Sequence, residues 1–179
     1  AQEFSAAVRA HDKAAKLSSK RGNLLLACQH TLAYLQILSA FPDREDEALL
    51  AKLRFSELTR RRLGYYLAEE EENLQQIIAR SSEAKWPEVE FHALQTYGDF
   101  LTNQRRWDES KAVLNASIRL GEKNGWNLWK SVARLADCHF YAGELQESYD
   151  TYVRALDHVE TEDDLAWCHF GVGDVLLLQ

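Results

Sequence analysis

Two of the three cysteines stand beside histidines, in the pairs Cys138-His139 and Cys168-His169. Thiolate and imidazole are ordinary zinc donors, and together they can also make a nucleophile with its base. Neighbouring residues on a helix point about 100° apart, however, so neither pair converges on one atom. A structural zinc site needs two further ligands at workable spacing, and the sequence offers none. Both pairs therefore read as helix interior. No Gly-rich phosphate loop, G-x-S-x-G, H-E-x-x-H or kinase signature occurs. The expectation is a non-catalytic protein with no metal or other cofactor.

The charged runs come next. Arg60-Arg61-Arg62, with Lys52 and Arg54 close by, form a short basic patch. Residues 1–90 hold 13 basic and 14 acidic side chains, whereas residues 91–179 hold 8 and 14, for net charges of −1 and −6. A nucleic-acid face needs a basic excess, so nucleic-acid binding is not expected and the patch reads as a solvated helix end. Glu69-Glu70-Glu71-Glu72 reads as a helix start, where carboxylates complement the positive end of the dipole. A sharper signal is Asp99, Asp137 and Asp174, which recur 38 and 37 residues apart.

The elements that carry these residues are helical. The chain has 179 residues, 46% of them apolar, with 8 Gly and 2 Pro. So few turn-formers argue against all-β folds. Apolar residues recur at three- and four-residue steps, giving helices over 3–19, 23–40, 44–63, 68–82, 86–103, 107–122, 126–142, 146–160 and 163–178. Pro87 suits a first helical turn, and Gly125 and Gly143 suit helix ends. The uncharged stretch from Gly22 to Pro42 holds too many polar groups for a membrane span. Three cysteines in a chain this long speak against a disulfide framework and for a reducing compartment, cytoplasm or nucleus. No signal-peptide pattern opens the chain. It contains no Met and stops at Leu176-Leu177-Leu178-Gln179 within an apolar helical pattern, which reads as part of a longer protein.

An internal repeat organises these helices. Tyr97-Gly98-Asp99, Leu135-Ala136-Asp137 and Val172-Gly173-Asp174 each set an apolar residue, a small residue and an Asp in a row. Trp107-Asp108-Glu109-Ser110 recurs as Leu145-Gln146-Glu147-Ser148, again at a step of 38. Trp86 and Trp126 lie 40 apart, as do Leu74 and Leu114. A weaker copy has Phe55-Ser56 at the small-residue position and Leu63-Gly64-Tyr65-Tyr66 at the turn.

This pattern resembles the tetratricopeptide repeat (TPR) family. One copy offers Leu94, Tyr97, Gly98, Leu101, Trp107, Ser110, Leu114, Ser117 and Ile118. The next offers Val132, Leu135, Ala136, His139, Leu145, Ser148, Tyr152, Ala155 and Leu156, and a last helix offers His169, Val172, Gly173 and Leu176. The steps are longer than the family's usual 34 residues and the Pro near each repeat end is missing, a variant similar to regulatory TPR arrays. The resemblance implies an all-α, right-handed superhelical solenoid of antiparallel helix hairpins. It implies one domain over 1–179: degenerate or capping helices over 1–47, repeats over 48–85, 86–125 and 126–162, and the start of a further repeat over 163–179.

The resemblance also implies a concave face lined by His92, Gln95, Asp99 and Asn103 from one repeat, Lys130, Arg134, Asp137 and Tyr141 from the next, and Asp174 from the last. Thr102, Ala133 and Phe140 would neighbour them. Of the family's clamp for acidic chain ends, Lys130 and Arg134 are present, while Gln95 and Asp99 stand where Lys and Asn are usual. Two readings of the aspartates follow. Each pairs with a neighbour, as Asp99 with Arg134, or together they form an acidic line for a basic or helical peptide. The functional expectation is a protein-interaction scaffold for a peptide or helix of a protein partner, with no membrane association. The alternative is the sensor domain of a transcription or signalling regulator.

Overall fold

The computed structural model describes residues 2–67 and 69–178, with side chains from residue 9 onward. Helix is the only regular structure among the described residues; none of them forms a strand. The chain divides into two compact units, Ala1–Val89 and Glu90–Gln179.

The first unit contains α1 (Gln2–Lys20), α2 (Leu24–Leu38), a 3₁₀ turn at Pro42–Arg44, α3 (Glu45–Leu63) and α4 (Glu70–Ala84). Each helix packs on the next in sequence. The Asn23 side chain starts α2 by accepting the Leu26 N–H at 3.1 Å, which satisfies one of the donors that a helix start leaves open. Glu45, Asp46 and Glu47 open α3 and Arg60, Arg61 and Arg62 close it, so both ends match the helix dipole. Gly64 ends α3 at φ 82°. Leu58 packs on Ala27 and Cys28, and Ala51 on Tyr34 and Leu38.

The basic patch serves this packing. Arg54 on α3 pairs with Asp12 on α1, and Arg61 donates to the Ser19 hydroxyl at 3.4 Å. Arg60 stands over the Tyr66 ring, and Arg80 on α4 makes two bonds of 2.8 and 2.7 Å to Glu45. Residue 68, where the sequence reading starts the fourth helix, lies outside the described residues.

The second unit contains α5 (Pro87–Asn103, which begins just before the boundary), α6 (Trp107–Asn124), α7 (Trp129–Ala142), α8 (Leu145–Leu156) and α9 (Glu162–Leu178). Its core gathers Leu114 and Ile118 of α6, Val132 and Leu135 of α7, Ala155 of α8 and Cys168 of α9, with Trp107, Trp126 and Trp129 at its margin. α7 touches α6, α8 and α9.

Helix ends share one device. In five places the backbone N–H of a residue returns to the carbonyl five positions earlier: Asn23 to Ser18, Trp86 to Ser81, Arg106 to Leu101, Trp126 to Gly121 and Glu144 to His139, all within 2.9–3.0 Å. This closing pattern requires a left-handed residue just before the returning N–H. Gly22, Gly125 and Gly143 fill that slot without cost, whereas Lys85 and Arg105 adopt it at φ 57° and 59°.

The helix-hairpin contact also recurs. The Ser110 hydroxyl donates to the Gly98 carbonyl at 2.8 Å, and the Ser148 hydroxyl to the Ala136 carbonyl at 2.9 Å, the same bond 38 residues on. A Cβ on Gly98 would lie 2.5 Å from Leu114, so the small residue is what lets α5 and α6 approach. Gly173, the matching residue of α9, has nothing within 4 Å of that position.

Two boundaries differ by more than two residues from the sequence reading, which carries the seventh helix from 126 and the eighth to 160. Asn127 accounts for both. Its Oδ1 accepts the Trp129 N–H at 2.8 Å, and its Nδ2 donates to the His158 carbonyl at 2.8 Å. A side chain that bonds backbone locally offers an alternative to helix, so Trp126–Leu128 stays outside α7 and the turn after α8 is held in place.

Candidate partner-binding surface

α5, α7 and α9 of the second unit each present one aspartate of the recurring series. Asp99 and Arg134 form an ion pair between α5 and α7. Their side chains are only 11% and 13% exposed, so the pair is largely out of water. Asp137 accepts the Tyr152 hydroxyl from α8. Burial and then the Asp137 charge push the Tyr152 phenol far above its ordinary range. Asp174 is half-buried on α9.

Tyr141, at the end of α7, connects the three. Its ring is 63% exposed and lies edge-on to Phe140, with centroids 5.4 Å apart. Its phenol is raised first by burial and then by the charges of Asp137, Asp174 and Asp99. The three carboxylates thus add to the effect of burial on one exposed residue. A raised phenol stays protonated at neutral pH and keeps its O–H as a donor.

The other expected residues divide by burial. Gln95 is 2% exposed and donates to the Ser131 hydroxyl at 2.8 Å, while His92 bonds its Oε1 at 3.1 Å. Ser131 in turn lies 2.9 Å from Ser117. Gln95 thus ties α5 to α7 and α6 and offers no surface, because a polar chain of two serines faces it where a clamp lysine would need water. Thr102 and Ala133 are buried too. Asn103 donates to the Asp99 carbonyl at 2.8 Å and is otherwise exposed. Lys130 is half-buried on α7.

The sequence reading did not single out Tyr152, Ser117 or Ser131 as polar partners. It placed Tyr152 and Ser117 in the core by their repeat positions, and the period carries no sign of which hydroxyl meets which side chain. It also left unmarked the outer face of α9, where Trp167, Phe170 and Leu177 are exposed.

Elsewhere, chemistry at the cysteine–histidine pairs has little to work with. Cys138 donates to the Trp107 carbonyl at 3.5 Å, while its neighbour His139 turns to Glu144 at 2.5 Å. Cys168 accepts the Trp129 indole N–H at 3.3 Å. Burial pushes both thiols up, away from the reactive thiolate. Among the described residues no three His, Cys, Asp or Glu side chains are grouped to hold a metal, and no helix is long and apolar enough to cross a membrane.

Charge separates the two units. Ala1–Val89 carries 13 basic and 13 acidic residues, and Glu90–Gln179 carries 8 and 15, so the whole net charge of −7 belongs to the second. No family model, curated protein or solved structure matches the chain.

Proposed function

We propose that the chain is a TPR-like helical-repeat module, a right-handed solenoid, that binds a basic peptide or helix of a protein partner without catalysis. The observation that carries this reading is Tyr141, an exposed aromatic residue whose phenol is raised first by burial and then by the charges of Asp137, Asp174 and Asp99. A lysine or arginine side chain meets attraction from such a ring and from carboxylates together. The recurring Ser110–Gly98 and Ser148–Ala136 bonds support the repeat reading. The net charge of −7 on the same unit favours encounter with a basic partner. Asp99 and Asp137 are engaged by Arg134 and Tyr152, so Asp174 and Tyr141 are the groups that would meet the partner directly.

The test uses a fluorescent panel of lysine- and arginine-rich helical peptides, with acidic peptides of equal length as controls. Basic peptides bind, binding weakens as salt rises, and Asp174→Asn with Tyr141→Ala weakens it further while the melting temperature holds. Equal binding of basic and acidic peptides would sink the proposal.

A further inference from the structure

The first unit contains a pair of histidines that the proposed function does not use. His11 on α1 and His30 on α2 bring their Nδ1 atoms to 3.2 Å across the hairpin. The rings are tilted by 48°, with centroids 5.4 Å apart, so they meet through their nitrogens and not face to face. Both residues are half-buried, within reach of water and small ions.

We propose that His11 and His30 form a two-imidazole chelate for a divalent late transition ion, Zn²⁺, Ni²⁺ or Cu²⁺, clamping α1 to α2. Imidazole nitrogens bind zinc at about 2.0–2.1 Å. Two such bonds at a tetrahedral angle set the nitrogens about 3.3–3.4 Å apart. The observed 3.2 Å lies within about 0.2 Å of that separation. In the ion-free state the same distance suits one N–H donating to the other ring's lone pair. Metal binding then requires the donor ring to change tautomer, giving up its Nδ1 proton and taking one up on Nε2 by exchange with solvent, since both Nδ1 atoms must offer lone pairs.

The neighbouring carboxylate explains why the site is bidentate. Asp12, next to His11, is committed to Lys16 at 2.7 Å and to Arg54. It stays paired with them, and water completes the coordination shell. Imidazole donors select copper, nickel and zinc over magnesium and calcium, which require oxygen ligands. Because the unfolded chain holds the two histidines apart, ion binding stabilises the folded hairpin.

Calorimetric titration of untagged protein with ZnCl₂ at pH 7.5 tests this. One equivalent binds, the melting temperature rises by a few degrees, and MgCl₂ does neither. His11→Gln and His30→Gln each weaken Zn²⁺ binding at least tenfold while keeping the helical circular dichroism of the wild type. As a readout independent of the variants, ¹⁵N spectra of the wild-type imidazoles shift at both His11 and His30 on the first equivalent. No binding, a shift at only one of the two rings, or unchanged binding in either variant overturns the proposal; the last would place the ion on one of the other four histidines.

Discussion

Arg134 on α7 reaches Asp99 on α5, and the two side chains close an ion pair that is almost nine-tenths out of water. Such a pair gains little over an apolar contact of the same size, because desolvation offsets most of the Coulomb attraction. Leaving one partner alone is a different matter. Arg134→Met should strand the Asp99 carboxylate and cost about 3–5 kcal/mol. Urea unfolding of the single variants and of Asp99→Leu/Arg134→Met measures this. The double variant should recover most of the loss. A single variant within about 0.5 kcal/mol of wild type, the range of ordinary surface changes, would mean the pair is solvated.

Gly98 and Gly173 occupy matching places in the sequence pattern but have opposite surroundings. A Cβ on Gly98 would press on Leu114 at 2.5 Å, and Leu114 is fully buried. Gly98→Ala should overpack the α5–α6 contact, costing on the order of 1–3 kcal/mol. Gly173→Ala meets nothing, so the helix preference of alanine should leave stability unchanged or raise it by up to about 1 kcal/mol. Thermal melts should separate the two variants, Gly98→Ala falling below wild type while Gly173→Ala holds or rises.

Much of this was legible in the sequence because helix ends are chemically marked. Pro87, Gly64, Gly125, Gly143 and the acidic run at Glu70–Glu72 lie at the starts and stops their types predict. Gly98 and Ala136 were legible as close-contact residues because their spacing repeats. The polar partners were harder to read. Arg134 lies 35 residues from Asp99, close to one repeat step, and the pairing was one of two readings open from the sequence. Gln95, placed by resemblance on a binding face, is buried instead on Ser131, since the period gives a residue's side of a helix and not its neighbour's hydroxyl. Asn127 was missed for a related reason: its effect comes from bonds to Trp129 and His158, which no apolar pattern records.

Stability should fall in acid. Lys111 and then His139 hold the Glu144 carboxyl below its ordinary value, and Arg54 and Lys16 do the same for Asp12 against the effect of burial. A carboxyl lowered in the folded state contributes stability above its unfolded value, and that contribution disappears as pH falls through the folded value. With unfolded values of about 4.3 for Glu and 3.9 for Asp, the contribution of these two carboxyls should be level from pH 7 to about 5 and decline below about 4. Glu144→Gln should lower the plateau slightly, because its side chain is 37% exposed and solvent screens the pair, and should make the acid decline shallower. Urea midpoints across pH 3–7 measure both. A decline as steep in Glu144→Gln as in wild type would remove Glu144 from the account.

Arg105 provides the last prediction. It holds φ 59° in the turn after α5, the place that glycine fills after α6 and α7. Its N–H returns to Thr102 at 3.0 Å, and the next N–H, of Arg106, returns to Leu101 at 2.9 Å, so the left-handed conformation is fixed by the bonds on both sides. An L-residue with a Cβ pays about 1–2 kcal/mol there, a penalty glycine avoids. Glycine also gives the unfolded chain more freedom, which takes back about 0.4–1 kcal/mol. The Arg105 side chain is exposed, so little packing is lost. Arg105→Gly should therefore raise stability by on the order of 0.5–1 kcal/mol. In a chain of this length that is about 1–4 °C in melting temperature. Gly143→Ala, the reverse change at φ 83°, should lower it by a similar amount. Both variants keep the same helices, so circular dichroism at 20 °C should not change while the two melting curves separate around the wild type. A destabilised Arg105→Gly would show that the arginine side chain contributes more to the folded state than its backbone strain takes away.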